Sequence, residues 1–245
     1  MDSNALVCTD VSVAFGGLRA LDSVSTSFIL NNITGLVGPN GAGKTTLINA
    51  ITNYVPLASG RVRLGTTDIT GKPSERIARL GVVRTFQIPK TPGGITVHNL
   101  LDTTMANTNH NITKIGEFSG INDVGEFCGI ADLLQTDCGS LSLPQLRRVE
   151  IARALACGPH IIMLDEAMAG LGEDDIHDNC ELVIKINSLG IGFVLIEHVM
   201  SVIRRLCSHV LVLNNGRWLL EGTPDDVFSS SEVHKAYVGE DTDGF

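Results

Sequence analysis

The sequence lacks the features that mark several common protein classes. Aromatic residues make up only 4% of its 245 residues and charged residues 18%, whereas hydrophobic residues make up 43%. No run approaches the roughly 20 apolar residues of a membrane-spanning helix. The 18 basic residues are outnumbered by 27 acidic ones, for a net charge of −9. This balance disfavours a nucleic-acid surface, so we expect no nucleic-acid partner.

Cysteine use and the start of the chain indicate the compartment. The six cysteines include no Cys-x-x-Cys pair, and we expect them to be reduced core thiols of a cytosolic protein. The first residues have no basic segment followed by an apolar one, so we expect no secretory signal. The length fits one large α/β domain with a buried core.

Hydrophobic periodicity predicts an α/β protein. The first 30 residues alternate between apolar and polar side chains, which predicts an antiparallel β layer. A polar, weakly helical insertion is predicted over 95–140, with an Asn-rich loop at 107–111. The other predicted strands are 33–37, 82–86, 161–164 and 192–196, with a hairpin around Asn-Gly over 210–220. The predicted helices follow the loop at 38–46 and cover 74–80, 142–156 and 174–188.

Residues 38–45 read Gly-Pro-Asn-Gly-Ala-Gly-Lys-Thr and match the phosphate-binding pattern G-x-x-x-x-G-K-[ST]. Backbone N–H groups of such a loop and of the following helix N-terminus point at phosphate oxygens. Lys44 would contact the terminal phosphates, and Thr45 would supply a hydroxyl to Mg²⁺. By chance the pattern is expected in roughly one chain of this length per hundred. Because a predicted strand precedes it and a helix follows it, we predict a nucleotide site.

Acidic residues follow the predicted strand that ends near residue 164. Asp165 is positioned to hold Mg²⁺, and Glu166 to orient or deprotonate an attacking water. His198 follows another core strand and could contact the γ-phosphate. Each has a plainer alternative: the acids could simply cap a strand, and the histidine could be an ordinary surface or core residue. Gln87, taken by itself, is an unremarkable amide at a strand end.

In this order, the motifs resemble the nucleotide-binding subunits of ABC transporters over nearly the whole chain. Residues 38–46 match Walker A, 161–166 Walker B, Gln87 the Q-loop and His198 the switch histidine. The resemblance implies a P-loop NTPase with a RecA-like core, an N-terminal antiparallel β layer and a helical subdomain, using ATP and Mg²⁺. It implies catalytic roles for Glu166, His198 and Gln87, and metal contacts from Thr45, Gln87 and Asp165. The residues it assigns to ATP are Phe15, Gly38, Asn40, Gly41, Gly43, Lys44, Thr45 and Thr46.

Phe15 lies where the family stacks an aromatic ring on adenine; the alternative is a β-layer core residue. Shorter segments are similar to the branched-chain amino-acid uptake ATPases. They are Phe-Gly-Gly-Leu at 15–18, Arg-Thr-Phe-Gln at 84–87, Ile-Glu-His at 196–198 and Ala-Tyr-Val-Gly-Glu at 236–240. The segment Arg-Arg-Val-Glu-Ile-Ala-Arg-Ala-Leu at 147–155 is also similar to the lipopolysaccharide-export ATPase. The resemblance therefore leaves the cargo open.

The chain departs from the family at the signature motif. Where the family has Leu-Ser-Gly-Gly-Gln, residues 141–145 read Leu-Ser-Leu-Pro-Gln. In the family this segment binds ATP held by the opposite subunit, a role that Ser142 and Gln145 would retain. Pro144 has no N–H and Leu143 adds bulk. We hypothesise a weakened site and hence a different ATPase subunit as partner; the alternative is that the substitution is tolerated.

The resemblance also implies an organisation and a setting. A single ABC domain would cover 1–245, with a core of about 1–87 and 158–245 and a helical subdomain of about 88–157. We expect the chain on the cytoplasmic face of the membrane, bound to permease subunits, with a periplasmic or extracellular binding protein acting indirectly. The main hypothesis is a transport ATPase for import of branched-chain or other amino acids. The alternatives are a lipid or lipopolysaccharide exporter, a soluble non-transport ABC ATPase and a regulatory module without turnover.

Overall fold

The computed structural model describes residues 4–85, 93–108 and 118–238. The strands are β1 (Ala5–Phe15), β2 (Leu18–Ile29), β3 (Ile33–Val37), β4 (Ser59–Leu64), β5 (Thr67–Asp68), β6 (Val82–Arg84), β7 (Ile161–Asp165), β8 (Gly192–Ile196), β9 (His209–Asn214) and β10 (Arg217–Gly222). The α-helices are α1 (Lys44–Ile51), α2 (Ser74–Arg79), α3 (Val97–Ala106), α4 (Ile121–Phe127), α5 (Leu143–Ala156), α6 (Glu173–Asn187), α7 (Met200–Leu206), α8 (Pro224–Ser229) and α9 (Ser231–Val238).

An antiparallel sheet of four strands, in the order β2-β1-β4-β5, forms the N-terminal layer. β1 pairs with both β2 and β4, so the predicted antiparallel layer is confirmed. The sequence did not predict β4 and β5. In β4 only Val62 is buried, and a strand with a single buried side chain has too weak an alternation to be recognised.

The second sheet has six strands in the order β10-β9-β3-β8-β7-β6. The inner pairs are parallel, and β10 returns antiparallel to β9 as the predicted hairpin. Since β3, β6, β7 and β8 run in the same direction, their carboxyl ends meet at one edge. Ligands of open α/β sheets bind at this edge.

Hydrophobic side chains fill both faces of the six-stranded sheet. Along β7, Ile161 and Met163 pack with the antiparallel layer and α1, whereas Ile162 and Leu164 pack with the helices on the other face. This alternation is the period of a strand. Because both faces are covered, the strand reads as a continuous apolar run in the sequence.

Helices α3, α4 and α5 follow β6 and pack on the second face of the six-stranded sheet. α3, α4 and α5 pack against one another, and Thr96 caps α3 by accepting a hydrogen bond from the Asn99 N–H. Phe118 and Phe127 meet edge to face, with ring centroids 5.1 Å apart. Most of the predicted loop at 107–111 and the end of the predicted strand at 82–86 lie outside the described residues.

All six cysteines lie in the described ranges and are free, and Cys157 is the one that is only half-buried. Burial raises the pKa of both Cys8 and Cys207 to about 12, so these thiols stay protonated. They act as small core side chains, as predicted. Helices α7, α8 and α9 were not predicted from the sequence.

Candidate nucleotide-binding site

The glycine loop leaves the carboxyl end of β3 and leads into α1. Gly38, Gly41 and Gly43 have φ values of 148°, 72° and 101°, which L side chains rarely adopt. A Cβ at Gly38 would lie 2.0 Å from the carbonyl oxygen of Leu213, and one at Gly43 would lie 2.8 Å from a methyl group of Leu21. Two glycines of the motif are therefore required by close packing as well as by backbone conformation.

Lys44 opens α1 and is buried, with 7% exposure. Its ammonium group donates hydrogen bonds to the carbonyl oxygens of Gly38 at 2.6 Å and Pro39 at 2.7 Å. The positive charge thus lies over the loop, beside the N–H groups of the helix N-terminus, and both attract phosphate. Asn40 and Thr45 are exposed and Thr46 is half-buried.

Asp165 ends β7 beside the phosphate loop. The Thr45 hydroxyl donates to its Oδ1 over 3.3 Å, and the nearest Arg84 nitrogen is 3.9 Å from its Oδ2. The residue is 1% exposed, and its Oδ2 has no hydrogen-bond partner among the described residues. Burial raises the pKa of the Asp165 carboxyl above its ordinary value, and the positive charge of Arg84 opposes this rise. A buried carboxylate oxygen beside a threonine hydroxyl fits a hard divalent cation.

Glu166 and His198 are brought together from the ends of β7 and β8. The His198 Nε2 is 3.0 Å from the Glu166 Oε1. Glu166 has a φ of 52°, a strained value that is typical of functional positions in a non-glycine residue. Its backbone N–H donates to the Ile196 carbonyl oxygen at 2.9 Å. This bond fixes the turn that aims the side chain towards His198.

Glu197, the residue before His198, has a buried acidic side chain. Glu197 is 6% exposed and accepts a hydrogen bond from the Met168 N–H at 2.9 Å. Burial raises the pKa of Glu197 and lowers that of Arg147, whose charge is attracted to Glu197, Glu150 and Glu166. Arg147 belongs to α5, so its charge links this helix electrostatically to Glu166 and Glu197.

Phe15 ends β1 at the hairpin turn and is 50% exposed. It is therefore not a core residue, and its ring is free to stack on a planar ligand. Gln87, predicted to serve as both a catalytic and a metal-contacting residue, lies outside the described residues.

The predicted signature residues lie at the start of α5. Ser142 is the N-cap, and its N–H donates to the Gln145 side-chain oxygen at 2.9 Å. Pro144 lies in the first turn of α5, where a missing N–H costs the helix nothing. Leu143 is 39% exposed, and one of its methyl carbons lies 3.2 Å from the position of a Cβ at Gly170.

Two residues near the loop were missed from the sequence. Arg84 donates a short hydrogen bond to the Asn49 side chain and lies over the Tyr54 ring at 5.1 Å. Its place at the end of a predicted strand was the available signal. Tyr237 accepts a hydrogen bond from the Gly38 N–H. It belongs to the family-like segment at 236–240, but no local pattern indicates its contact with a residue 199 positions away in the sequence.

A strand, a glycine loop and a helix, with an aspartate at the end of a neighbouring parallel strand, define a P-loop nucleoside triphosphatase. The family model described as ABC transporter matches residues 21–169. The chain therefore belongs to the ABC transporter ATP-binding family, and it is an ATP-binding and ATP-hydrolysing subunit. The predicted family, fold class and enzyme class are confirmed.

Similar proteins cover nearly the whole chain. BraF of Pseudomonas aeruginosa, a high-affinity branched-chain amino acid transport ATP-binding protein, is 34% identical over 98% of this chain and 100% of its own length. LivG of Escherichia coli, described in the same terms, is 32% identical over 98% and 100%. The crystal structure of the ADP conformation of MJ1267, an ATP-binding cassette of an ABC transporter, matches with a TM-score of 0.84. It is 32% identical and covers 96% of this chain and 98% of that chain.

Within the described residues, no helix is both long and apolar enough to cross a membrane.

Proposed function

We propose that the chain hydrolyses ATP to drive the import of branched-chain or other amino acids through membrane permease subunits. The observation that supports this proposal most strongly is that 98% of the chain aligns with the whole of BraF, with 34% identity. The intact edge formed by Lys44, Asp165 and Glu166 supports turnover rather than a purely regulatory role. In this proposal the chain lies on the cytoplasmic face of the membrane, and a binding protein delivers the amino acid to the permease.

Each side chain at the sheet edge has a proposed role. Lys44 and the loop amides bind the phosphates, together with Gly38, Asn40, Gly41, Gly43, Thr45 and Thr46, while Phe15 stacks on adenine. Thr45 and Asp165 would hold Mg²⁺, with Gln87 as a further contact taken from the family resemblance. When bound, the cation would neutralise charge on the phosphates.

Glu166 and His198 have proposed roles at the reacting end of the nucleotide. Glu166 would orient the attacking water and accept its proton, and His198 would donate a hydrogen bond to the γ-phosphate. Their mutual contact of 3.0 Å supports this assignment, because two groups that serve one reacting centre must lie within reach of each other.

We also propose that the working unit is a dimer with a different ATPase subunit. An ABC subunit contributes its signature to ATP held by the opposite subunit, through Ser142 and Gln145 here. Pro144 offers no N–H, and the exposed Leu143 side chain occupies space beside the helix N-terminus. A partner with an intact signature would complete the site on Lys44, while the site completed by this chain would be the weaker one.

The division into a core of about 1–87 and 158–245 and a helical subdomain of about 88–157 belongs to the same proposal. The permease would dock on the helical subdomain, near Gln87. Support comes from α3, α4 and α5, which pack on one another beside the six-stranded sheet.

Uptake in cells tests the cargo. Deletion of the gene in the source organism should reduce uptake of labelled leucine, isoleucine and valine and leave lysine uptake unchanged. Complementation by the native gene should restore uptake, whereas Lys44→Ala should not. The control Lys72→Ala changes a lysine outside the loop and should complement. Unchanged uptake of all three branched-chain amino acids after deletion would contradict the proposed cargo.

A further inference from the structure

The C-terminal helix α9 contacts the phosphate loop directly. The Tyr237 hydroxyl accepts a hydrogen bond from the Gly38 N–H at 2.9 Å. The ring is half-buried and packs against the main hydrophobic core, in which Val233 of the same helix is buried with 3% exposure. The packing of α9 against the core thus fixes the position of the Tyr237 hydroxyl.

Gly38 is the residue at which β3 becomes the phosphate loop. It is buried, with a φ of 148°, and no room is left for a Cβ against the Leu213 carbonyl. Its carbonyl oxygen accepts a hydrogen bond from Lys44 at 2.6 Å. Both backbone polar groups of Gly38 therefore form hydrogen bonds: its carbonyl oxygen accepts from Lys44, and its N–H donates to Tyr237.

A backbone contact holds the loop near its end. The Gly216 N–H, at the β9–β10 turn, donates to the Ala42 carbonyl oxygen at 3.0 Å. A Cβ at Gly216 would lie 2.5 Å from the Ala20 carbonyl oxygen, so this turn is tightly packed. The hydrogen bond from the Gly38 N–H to the Tyr237 hydroxyl joins the first residue of the loop to a side chain outside the motif. A substitution at Tyr237 can therefore remove this hydrogen bond selectively.

We propose that Tyr237 is a positioning residue for ATP, an inference that rests on ATP occupying the loop. A buried glycine N–H without a partner is costly, and glycine has the widest choice of alternative conformations. By satisfying this N–H, the hydroxyl keeps the first peptide of the loop, and with it the carbonyl that guides Lys44, in the binding geometry. A loop held in this way loses less conformational freedom when ATP binds.

Reciprocity gives the proposal a second consequence. If α9 improves ATP binding through Gly38, nucleotide must stabilise the seating of α9 by the same factor. Backbone amides of α9 in the native full-length chain should therefore exchange more slowly with deuterium when ATP or ADP is bound.

The test is Tyr237→Phe, which removes one oxygen and keeps the ring. A neutral hydrogen bond corresponds to a change of about two- to twelvefold in an equilibrium constant. We expect the ATP dissociation constant, measured by calorimetry on the full-length chain, to rise within that range. Hydrogen exchange in peptides containing Gly38 should become faster. In the assembled transporter, KM should rise while kcat stays within twofold.

Val233→Ala is the matched control, because it removes buried packing from α9 and leaves the hydroxyl in place. We expect a lower Tm and an ATP dissociation constant within twofold of the native value. An equal loss of ATP affinity in both variants would overturn the positioning role and leave only a structural one. So would native-like affinity and exchange in Tyr237→Phe.

Two further measurements on the native chain complete the test. Absence of nucleotide protection in α9 would overturn the proposal without any variant, including the case in which Tyr237→Phe is unstable. Absence of ATP binding by the native chain would instead contradict the proposed function.

Discussion

The edge of the parallel sheet and the N-terminus of α5 follow the family pattern to different degrees. At the sheet edge, Lys44, Thr45 and Asp165 match the motifs and lie in mutual reach. At the start of α5, Leu143 and Pro144 replace two glycines, although Ser142 still caps the helix. The family pattern is thus kept at the sheet edge and altered at the start of α5.

The difference has a physical basis. The loop at residues 38–45 packs against β9, β2 and the β9–β10 turn, so Gly38 and Gly43 cannot gain a Cβ without a clash. The first turn of α5 is partly exposed and tolerates proline, because its N–H groups have no partners within the helix. The requirement for a stable fold therefore constrains the loop glycines strongly and the first turn of α5 weakly. We attribute any constraint on Leu143 and Pro144 to function.

The largest effect is expected for Glu166→Gln, which tests whether the sheet edge carries the chemistry. Loss of the proton acceptor should reduce ATP hydrolysis by the assembled transporter about 100-fold or more, while ATP still binds. Glu173→Gln changes an exposed glutamate at the start of α6 and should hydrolyse ATP at the native rate. Equal turnover in native protein and Glu166→Gln would remove Glu166 from the reaction.

Substitutions at two loop glycines test the structural constraint itself. Gly38→Ala forces a Cβ against the Leu213 carbonyl and should lower the free energy of unfolding by about 2–4 kcal/mol. Gly41→Ala is the control: its Cβ has open space, and only the strain of a positive φ remains, about 1–2 kcal/mol. Urea unfolding measures both. A larger loss at Gly41 would show that packing does not dominate.

Restoring the signature tests the proposed weaker site. Leu143→Gly with Pro144→Gly should raise ATP turnover of the assembled transporter by about 2- to 30-fold, since interactions at a helix N-terminus contribute about 0.3–2 kcal/mol. The pair Leu143→Ala and Pro144→Ala restores the N–H and removes most of the bulk. Comparison of the two double variants separates the effect of the missing N–H donor from the effect of the flexibility that glycine gives to the start of the helix. No gain in either would show that the native signature is already sufficient.

The smallest effect concerns the pH dependence of stability without nucleotide. Burial raises the pKa of Asp165, so the folded protein binds its proton more tightly than the unfolded chain does. The stability that comes from this tighter proton binding is lost as the pH rises through the pKa of Asp165 in the folded protein. Asp165→Asn cannot ionise, so its Tm should exceed that of the native protein at pH 7.5, and the gap should narrow towards pH 4.

Asp102→Asn, at an exposed position in α3, is the control for this measurement. The difference in Tm between Asp102→Asn and the native protein should not grow as the pH rises. A constant difference between Asp165→Asn and the native protein from pH 4 to 7.5 would contradict the burial argument.

Local patterns predicted the elements with strong periodicity. Strands β3, β7 and β8 are continuous apolar runs, the hairpin turn is Asn-Gly, and the glycine motif lies between a strand and a helix. The largely exposed strands β4 and β5 and the short helices α7, α8 and α9 were missed, because their apolar patterns are too short or too weak to be recognised. The roles of Gln87, His198 and Ser142 remain predictions, although His198 does lie against Glu166.

The sequence by itself determined the phosphate loop, the acidic end of β7 and the altered signature, because each is a set of neighbouring residues with its own chemistry. Tertiary structure decided which distant groups meet them. Arg84 reaches both Asn49 and Asp165, and Tyr237 reaches Gly38, only because the parallel strands bring their carboxyl ends to one edge and α9 packs back against it. Contacts of this kind depend on the direction and order of strands in the sheet, which no local spacing records.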